Sequence, residues 1–520
     1  MKKFQWFILL AIWSIKLIAQ PNFRIVENKT FDCIDLHSGA YAMDGDRILF
    51  IGGRTNGLHH FLSPLAFPLM MRNAEAVVYD ISDDLLYTSS TDVLPVAIKE
   101  AVQSSNMQFY QESNTLFMIG GYGWQESSNM FITHPTLTAI NVGGLVDAII
   151  SGSSIIPFFT QYTDTTMAVC GGHLGKIGDE YYLIFGHRFD GTYYISDTSG
   201  FFIQKYTHEI RKFKITNSPL SIYDYSVWSD TMNYRRRDYN LVPQIFPDGT
   251  EGYTAFSGVF QRFLNIPYLH PIDIISSEVT VQAFNQFLNN YHCAVVPMYD
   301  SDNNTMYNYF IGAMSMYLPD GSGGLVTDSL VPFVKTIACV SRSGSGMLHE
   351  FIVDTLTRLE GTNAQFIPAT STVRYANGVI DLQATPIGSS GKLLGYIVGG
   401  IISPSPNLND TDPAASSASC NIYNVYIDYV NDWSDIAVNP PFTYSVQTIQ
   451  GEIQVTIITQ NTKSYVTVEI YNTIGQKLYN KEINEKQSVV LICSNQWKYQ
   501  IIFVHISNKE FVVTDPVIIH

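Results

Sequence analysis

The sequence predicts an all-β protein built from a repeated four-strand unit, and three observations carry that reading. Composition is the first: 46% of residues are hydrophobic and 13% aromatic, with 32 Tyr and 30 Phe, against 15% charged. Strong helix-forming runs are scarce. The second is an apolar run that recurs and ends in Gly: Arg47 to Gly53, Thr115 to Gly121, Tyr181 to Gly186 and Leu393 to Gly400, with weaker copies at Gly252 to Gly258 and Tyr307 to Gly312. Each reads as a buried strand whose end needs close backbone approach. The third is a turn placed before these runs, such as Asp44-Gly45-Asp46 or Pro247-Asp248-Gly249, which makes the run the second half of a hairpin.

Taken in order, the chain opens with a short basic stretch, Met1-Lys2-Lys3, an apolar run from Phe4 to Ile15, and a small residue, Ala19, before Gln20. This is the pattern of a secretory signal peptide over residues 1–19, too short and too soon interrupted by Lys16 for a bilayer span. Phe23 to Ile34 contains a strand. The first unit then has Gly39 to Met43, Arg47 to Gly53, Glu75 to Asp80 and an outer strand in Tyr87 to Pro95. The second has Met107 to Tyr110, Thr115 to Gly121 and Leu137 to Val142; the third, Met167 to Cys170, Tyr181 to Gly186 and His208 to Ile215. The fourth has Tyr239 to Ile245 and Tyr253 to Gly258; the fifth, Cys293 to Tyr299, Tyr307 to Gly312 and Pro332 to Val340. The last has Val379 to Leu382, Leu393 to Gly400 and Asn421 to Tyr429, with Ser403 to Ser419 as a long internal loop.

The Gly markers fall at 53, 121, 186, 258, 312 and 400, about 69 residues apart on average, so six units fill the chain to position 440, or seven if one copy is degenerate. Radial repetition of four-stranded units is a β-propeller, which commonly closes with a strand from the opposite terminus; Phe23 to Ile34 is the candidate. The inner strand, turn, Gly-Gly strand and later Val78-Tyr79-Asp80 or Tyr426-Ile427-Asp428 with Trp433 resemble the kelch-type propeller over residues 20–440.

From Phe442 onward short strands alternate over about eighty residues, enough for a small Ig-like β-sandwich over 441–520. The stretch Val466 to Tyr479, with Tyr471-Asn472 and Gly475, followed by Trp497-Lys498-Tyr499, resembles the C-terminal sorting domain of type IX secretion substrates in Bacteroidetes-like bacteria. The resemblance implies a secreted or outer-membrane surface protein whose last domain meets the type IX machinery, with no integral membrane span once the signal is removed. Tyr471, Asn472, Gly475 and Tyr499 are the residues that carry the motif. The terminal Asp515 to His520 lacks the basic ending of that family.

A net charge of -16 and a pI near 5.1 exclude a nucleic-acid surface, which needs a basic footprint. The six cysteines are even in number but sparse, with no Cys-x-x-Cys; export permits bridges, and isolated buried thiols suit the spacing equally.

Antiparallel hairpins place the start of each inner strand beside the end of the Gly strand, so residues just before the one and just after the other share a face, the propeller mouth. This selects Arg54, His59, Tyr122, His187, Arg188, Arg236, Arg237, Asp238 and His292 as candidate ligand-binding residues, with His37, Asn106, Arg235, His60 and Trp124 nearby. Arg offers bidentate pairing and aromatic faces stack on sugars. Each could instead tie loop carbonyls between units, or pair as Arg with Asp.

Asp300-x-Asp302-x-Asn304 begins like a calcium loop, but Thr305 stands where Gly is required and Ile311 at the twelfth position, so it reads as a hairpin turn. Kelch-like propellers also house copper-radical oxidases, yet Tyr291, His292 and Cys293 are strand neighbours that face alternate ways. No metal or cofactor is expected. The sequence reading is therefore an exported binding or interaction protein, with an enzyme acting on a glycan or uronic-acid-like substrate at the same mouth as the alternative.

Overall fold

The computed structural model describes residues 21–30, 35–59, 66–192, 202–321, 324–385, 391–408, 415–429 and 436–437, and then strands at 442–449, 452–459, 466–472, 477–483, 487–493, 501–507 and 512–518. The signal stretch, Trp433, Gly475 and Tyr499 lie outside these residues, as do the side chains of Tyr471 and Asn472.

Six antiparallel sheets follow one another along the described chain. Sheet I is Ala40–Asp44, Arg47–Ile51, Glu75–Asp80 and Leu85–Ser90; sheet II is Gln108–Glu112, Thr115–Ile119, Thr136–Asn141 and Phe159–Thr163; sheet III is His173–Ile177, Glu180–Ile184, Glu209–Asn217 and Leu220–Ser229. Sheet IV is Asn240–Ile245, Glu251–Phe256, Ile272–Ile274 and Val279–Val281; sheet V is built on Ala294–Asp300, Thr305–Ile311, Thr336–Arg342 and Leu348–Thr355. In sheet VI, Gln365–Pro368, Lys392–Val398 and Asn421–Tyr429 are completed by Pro21–Thr30, which pairs antiparallel with Asn421–Tyr429 so that Phe23 faces Ile427. The N-terminal strand therefore takes the closing position the sequence assigns to it.

Both faces of these sheets are covered, and that is why their strands read as continuous apolar runs instead of an alternation. Along Thr115–Ile119 the period of two sends Leu116 and Met118 into a core shared with Leu49 and Val78 of sheet I, and Phe117 and Ile119 into one shared with Leu183 and Phe213 of sheet III. The same interleaving joins III to IV through Ile184 and Ile272, IV to V through Phe256 and Phe310, V to VI through Tyr309 and Val425, and VI back to I through Ile367 and Ile48. Tyr41 of sheet I donates to the Phe366 carbonyl of sheet VI at 3.2 Å across that last seam. Each fully buried Leu, Ile or Phe in these layers contributes about 1.5–3 kcal/mol.

The Gly-Gly signature has a backbone cause. The two residues that end each second strand both adopt positive φ: Gly52 and Gly53, Gly120 and Gly121, Phe185 and Gly186, Ser257 and Gly258, Gly312 and Ala313, Gly399 and Gly400. The double left-handed step turns the chain off the sheet, and the second N–H of the pair donates to the approach segment of the following sheet, as Gly53 does to Ser104, Gly121 to Val169 and Gly186 to Arg236. Space is short there as well: a Cβ on Gly120 would sit 1.9 Å from the Val169 oxygen.

Two first strands differ from expectation. In the third unit the strand is His173–Ile177, whereas the apolar Met167, Val169 and Cys170 form the buried approach to it, before Gly171 and Gly172 turn the chain. In the last unit it is Gln365–Pro368. Ile380–Asp381 instead pairs parallel with Met298 and Tyr299 of sheet V, and Lys392–Val398 pairs antiparallel with the more distant Gln365–Pro368. Within the long Ser403 to Ser419 loop, Ser417–Ala418 pairs with Ile401–Ser403, which pairs with Leu359–Thr362.

Beyond residue 441 the described strands form two antiparallel sheets. Phe442–Ile449, Glu452–Thr459 and Gln487–Cys493 make one; the other has the order Lys477–Ile483, Val466–Asn472, Ile501–Ser507, Val512–Ile518. Alternate residues Ile453, Val455, Ile457, Val466, Val468 and Ile470 are fully buried in one apolar cluster. Among the described residues no helix is long and apolar enough to cross a membrane.

Candidate functional site

The same geometry that repeats the Gly-Gly step builds a rim. Immediately after each left-handed pair, one residue bonds backbone to backbone with the residue that stands three places before the first strand of its own sheet. These pairs are Arg54 with His37, Tyr122 with Ser105, His187 with Cys170 and Val259 with Arg237, then Met314 with Tyr291 and Ile401 with Thr362. Inner-strand approaches and Gly-strand exits thus meet on one face, as antiparallel pairing requires.

Inside the rim runs a second ring. The residue that follows each approach position is again left-handed: Ser38, Asn106, Gly171, Asp238, His292 and Asn363. Several are joined by backbone bonds from sheet to sheet: Asn106 N–H to Ser38 O, Gly171 to Asn106, Asp238 to Gly171 and Asn363 to His292, at 2.7–2.9 Å. This ring forms a sill between two voids. A recess lies on the rim side, lined by His59, Phe67, Tyr122, His187, Arg237, Asp238 and Tyr291 among others. A chamber lies on the other, lined by Ser38, Gln108, Gly171, His173, His292 and Gln365; Asn106 borders both.

The recess has an aromatic side and a polar side. Tyr122 packs edge-on against Phe67 and Phe189, with centroids 5.1 and 5.3 Å away, and stacks on Phe131 at 5.3 Å; His59 stacks on Phe67 at 5.1 Å. The Tyr122 hydroxyl is spent on the Gly191 carbonyl at 2.6 Å, so this residue offers its ring, not its oxygen. On the polar side Asp238 Oδ2 accepts from Arg237 and from the Tyr291 hydroxyl, the latter at 2.8 Å. Arg237 Nε also reaches the Tyr206 hydroxyl at 3.2 Å.

Electrostatically the polar side is compensated. Burial pushes the Asp238 carboxyl up, but Arg237 first, with His187, His292 and the Tyr291 hydroxyl, draws it below the ordinary range. Burial opposes the Arg237 charge, while Asp238 and Tyr291 hold it well above its usual value. His187 is lowered to about 3 by burial and by Arg237; its Nδ1 faces the Gln204 amide nitrogen at 2.8 Å, which donates to it. The recess therefore holds one plus and one minus charge and a neutral imidazole.

Of the nine residues selected from the sequence, His59, Tyr122, His187, Arg237 and Asp238 line the recess, and His292 lines the chamber beneath. Three do not reach either void. Arg236 is 0% exposed, donating to the carbonyls of Asn233, Ser257 and His270 at 2.8–2.9 Å with its guanidinium 4.3 Å from the Tyr268 ring centroid; it ties loops together. Arg188 follows inward-facing His187 on a strand and so points out, where it is paired with Asp190 at 2.6 Å. Arg54 is buried behind the recess, donating to Asn56 and to the Pro68 carbonyl, its guanidinium 5.2 Å from the centroid of the Phe67 ring it supports. Burial lowers its pKa to about 10.

Tyr291 and Cys170, missed in the sequence, occupy the same place in their units as Arg237 does in its own. Aligning the units on the left-handed ring would have found them. Phe67, Phe189 and Gln204 come from the excursions after the Gly strands and carry no such signal. Tyr291, His292 and Cys293 go to the recess, the chamber and the core between sheets IV and V respectively. Asp300 Oδ1 accepts from the Asp302 and Asn303 amides and from the distant Gln383 side chain, so the oxygen serves to hold the turn. Among the described residues no cluster of three His, Cys, Asp or Glu could hold a metal ion.

No protein-family model and no curated protein matches the chain. Solved structures to which it is similar include YjhT, at 9% identity and TM-score 0.42, covering 77% of this chain and 99% of that one. A fungal alcohol oxidase of the AA5 family in complex with copper aligns at 9% identity and TM-score 0.39, covering 96% and 99%. PorZ, a surface component of the type IX secretion system of Porphyromonas gingivalis, aligns at 8% identity and TM-score 0.24, covering 92% of this chain and 59% of PorZ.

Proposed function

We propose that the six sheets are the blades of a kelch-like propeller, that residues 441–520 form an Ig-like sorting domain, and that the protein is an exported binding protein whose mouth takes a saccharide without anionic groups. The observation that carries the ligand reading is the recess itself. Tyr122, Phe67 and His59 give it an aromatic wall against which the C–H edge of a sugar ring packs, and Arg237, Asp238 and Tyr291 form a charge-compensated cluster suited to hydroxyl groups. Because Asp238 already neutralises Arg237, a strongly anionic ligand gains little.

Export is supported by the signal-like N-terminus and by Cys420, which is disulfide-bonded, as suits an oxidising compartment; Cys170, Cys293 and Cys339 are free and buried. The sorting reading rests on Tyr471, Asn472, Gly475 and Tyr499. Binding is favoured over catalysis because three titratable groups of the recess are held away from neutrality: His187 and Asp238 are lowered and Tyr291 is raised by burial and by Asp238. A general acid or base works best near the operating pH.

Calorimetric titration of the full chain with a panel of monosaccharides and short glycans tests the ligand reading. At least one neutral sugar should bind, and Tyr291→Phe, which removes one hydroxyl and keeps the ring, should weaken it about 5- to 30-fold. Binding unchanged in Tyr291→Phe would place the sugar elsewhere.

A further inference from the structure

The chamber beneath the mouth holds polar side-chain atoms without partners among its lining. His173 Nε2 lies 2.8 Å from the Tyr239 carbonyl; a carbonyl can only accept, so Nε2 carries the proton and Nδ1 carries a lone pair. The ring is neutral, since burial first, with His292 nearby, lowers it to about 3. His292 Nδ1 and Gln108 Oε1 have no hydrogen-bond partner among the described residues, and the Gln108 amide nitrogen is already spent on the Asn106 carbonyl at 2.8 Å. Asp238 turns one oxygen to Arg237 and Tyr291; the other, Oδ1, stands beside Gly171 of the chamber lining, 3.0 Å from where a Cβ there would lie. His173 and His292 are deep in the molecule yet keep accessible surface, as side chains that face an internal void do.

We infer that the chamber receives a primary ammonium group, so that the saccharide of the mouth is an amino sugar. The inference rests on the saccharide reading and names its substrate class. An ammonium brings three donors to a space that offers lone pairs from the His173 imidazole and the Gln108 amide, beside the unpartnered His292 Nδ1 and the Asp238 oxygen that Arg237 and Tyr291 leave free. A hydroxyl brings one donor and no charge. An N-acetyl group brings one N–H donor and no charge.

The test is titration of the full chain with glucosamine, glucose and N-acetylglucosamine at about pH 6, where the sugar amine is protonated. Glucosamine should bind at least about 10-fold tighter than glucose and than N-acetylglucosamine, which lack the charge and two of the three donors. His173→Phe keeps an aromatic ring against His292 and removes the lone pair; it should bring the glucosamine-to-glucose ratio below about 3 without changing glucose affinity. Should that variant not fold, the wild-type order still decides, because equal affinity for glucosamine and glucose, or preference for the N-acetyl sugar, overturns the ammonium inference. In that event weakening of all three sugars by Tyr291→Phe leaves the mouth reading intact. No binding of any of the three overturns both.

Discussion

The imidazole rings of His173 and His292 meet edge to face with centroids 5.4 Å apart, although one opens the first strand of sheet III and the other precedes the first strand of sheet V. Sheet IV lies between them in the chain, so the two can touch only where the first strands converge. Their meeting marks the chamber, and the left-handed ring above it separates that chamber from the mouth.

The repeated left-handed step is the feature on which the whole arrangement depends. Gly120→Ala and Gly312→Ala would each add a Cβ at φ +68° and +64° and within 1.9 and 2.0 Å of a carbonyl oxygen. Each should destabilise by about 2–4 kcal/mol, strain and collision together. Gly45→Ala, at φ +61° with nothing within 4 Å, should cost only about 1 kcal/mol. Urea midpoints of the three variants check the contrast; equal losses would show that space at the strand ends does not matter.

The two arginines that leave the site separate by environment. Arg236→Met strips three buried carbonyls of their donors and should cost about 3–5 kcal/mol. Arg188→Ala removes an exposed ion pair and should cost less than about 1 kcal/mol, with sugar binding unchanged. Thermal denaturation of both variants, beside the wild type, reads the difference.

Stability should have a maximum in pH. His37, His173 and His187 are lowered to about 3 and His134 to about 4, in each case first by burial. Below the unfolded value of 6.5 the unfolded chain binds protons that the folded chain refuses, so stability falls as pH drops toward 3, by up to about 1.4 kcal/mol per pH unit for each group. Glu350 acts in the opposite sense. Burial lifts it to about 8 against its bonds from the Phe287 and Leu288 amides, so the folded state holds a proton that the unfolded state has released above 4.5. Stability therefore declines from pH 4.5 to 8 on its account. Denaturation midpoints across pH 4–9 should show the steep acid limb, and Glu350→Gln should flatten the alkaline one; an alkaline limb unchanged in that variant would contradict the assignment.

Much of the fold is legible because its cause is local. Gly52-Gly53, Gly120-Gly121 and Gly399-Gly400 announce themselves since only Gly takes two left-handed steps without strain. The same step at Phe185, Ser257 and Ala313 is hidden by residues that the surroundings force into it. Arg237, Asp238 and His187 could be placed because rim positions lie at fixed offsets from the Gly strands. Arg188 and Arg236 could not be told from them, since their direction depends on strand alternation at the rim and on carbonyls from distant loops. Phe67 and Gln204 reach the recess from long excursions after the Gly strands, whose paths no periodicity fixes. The first strand of sheet VI was missed because Gln365-Phe366-Ile367-Pro368 is short and its hairpin partner lies beyond a long connection.

The most direct measurement on the central claim is the crystal structure of the full chain grown with a bound amino sugar. The sugar ring should lie against Tyr122 and Phe67, with hydroxyls within hydrogen-bond distance of Arg237, Asp238 and Tyr291 and the nitrogen directed past Asn106, which borders both voids, toward His173 and His292. A sugar bound at the outer edges of the sheets, with the recess holding only solvent, would contradict it.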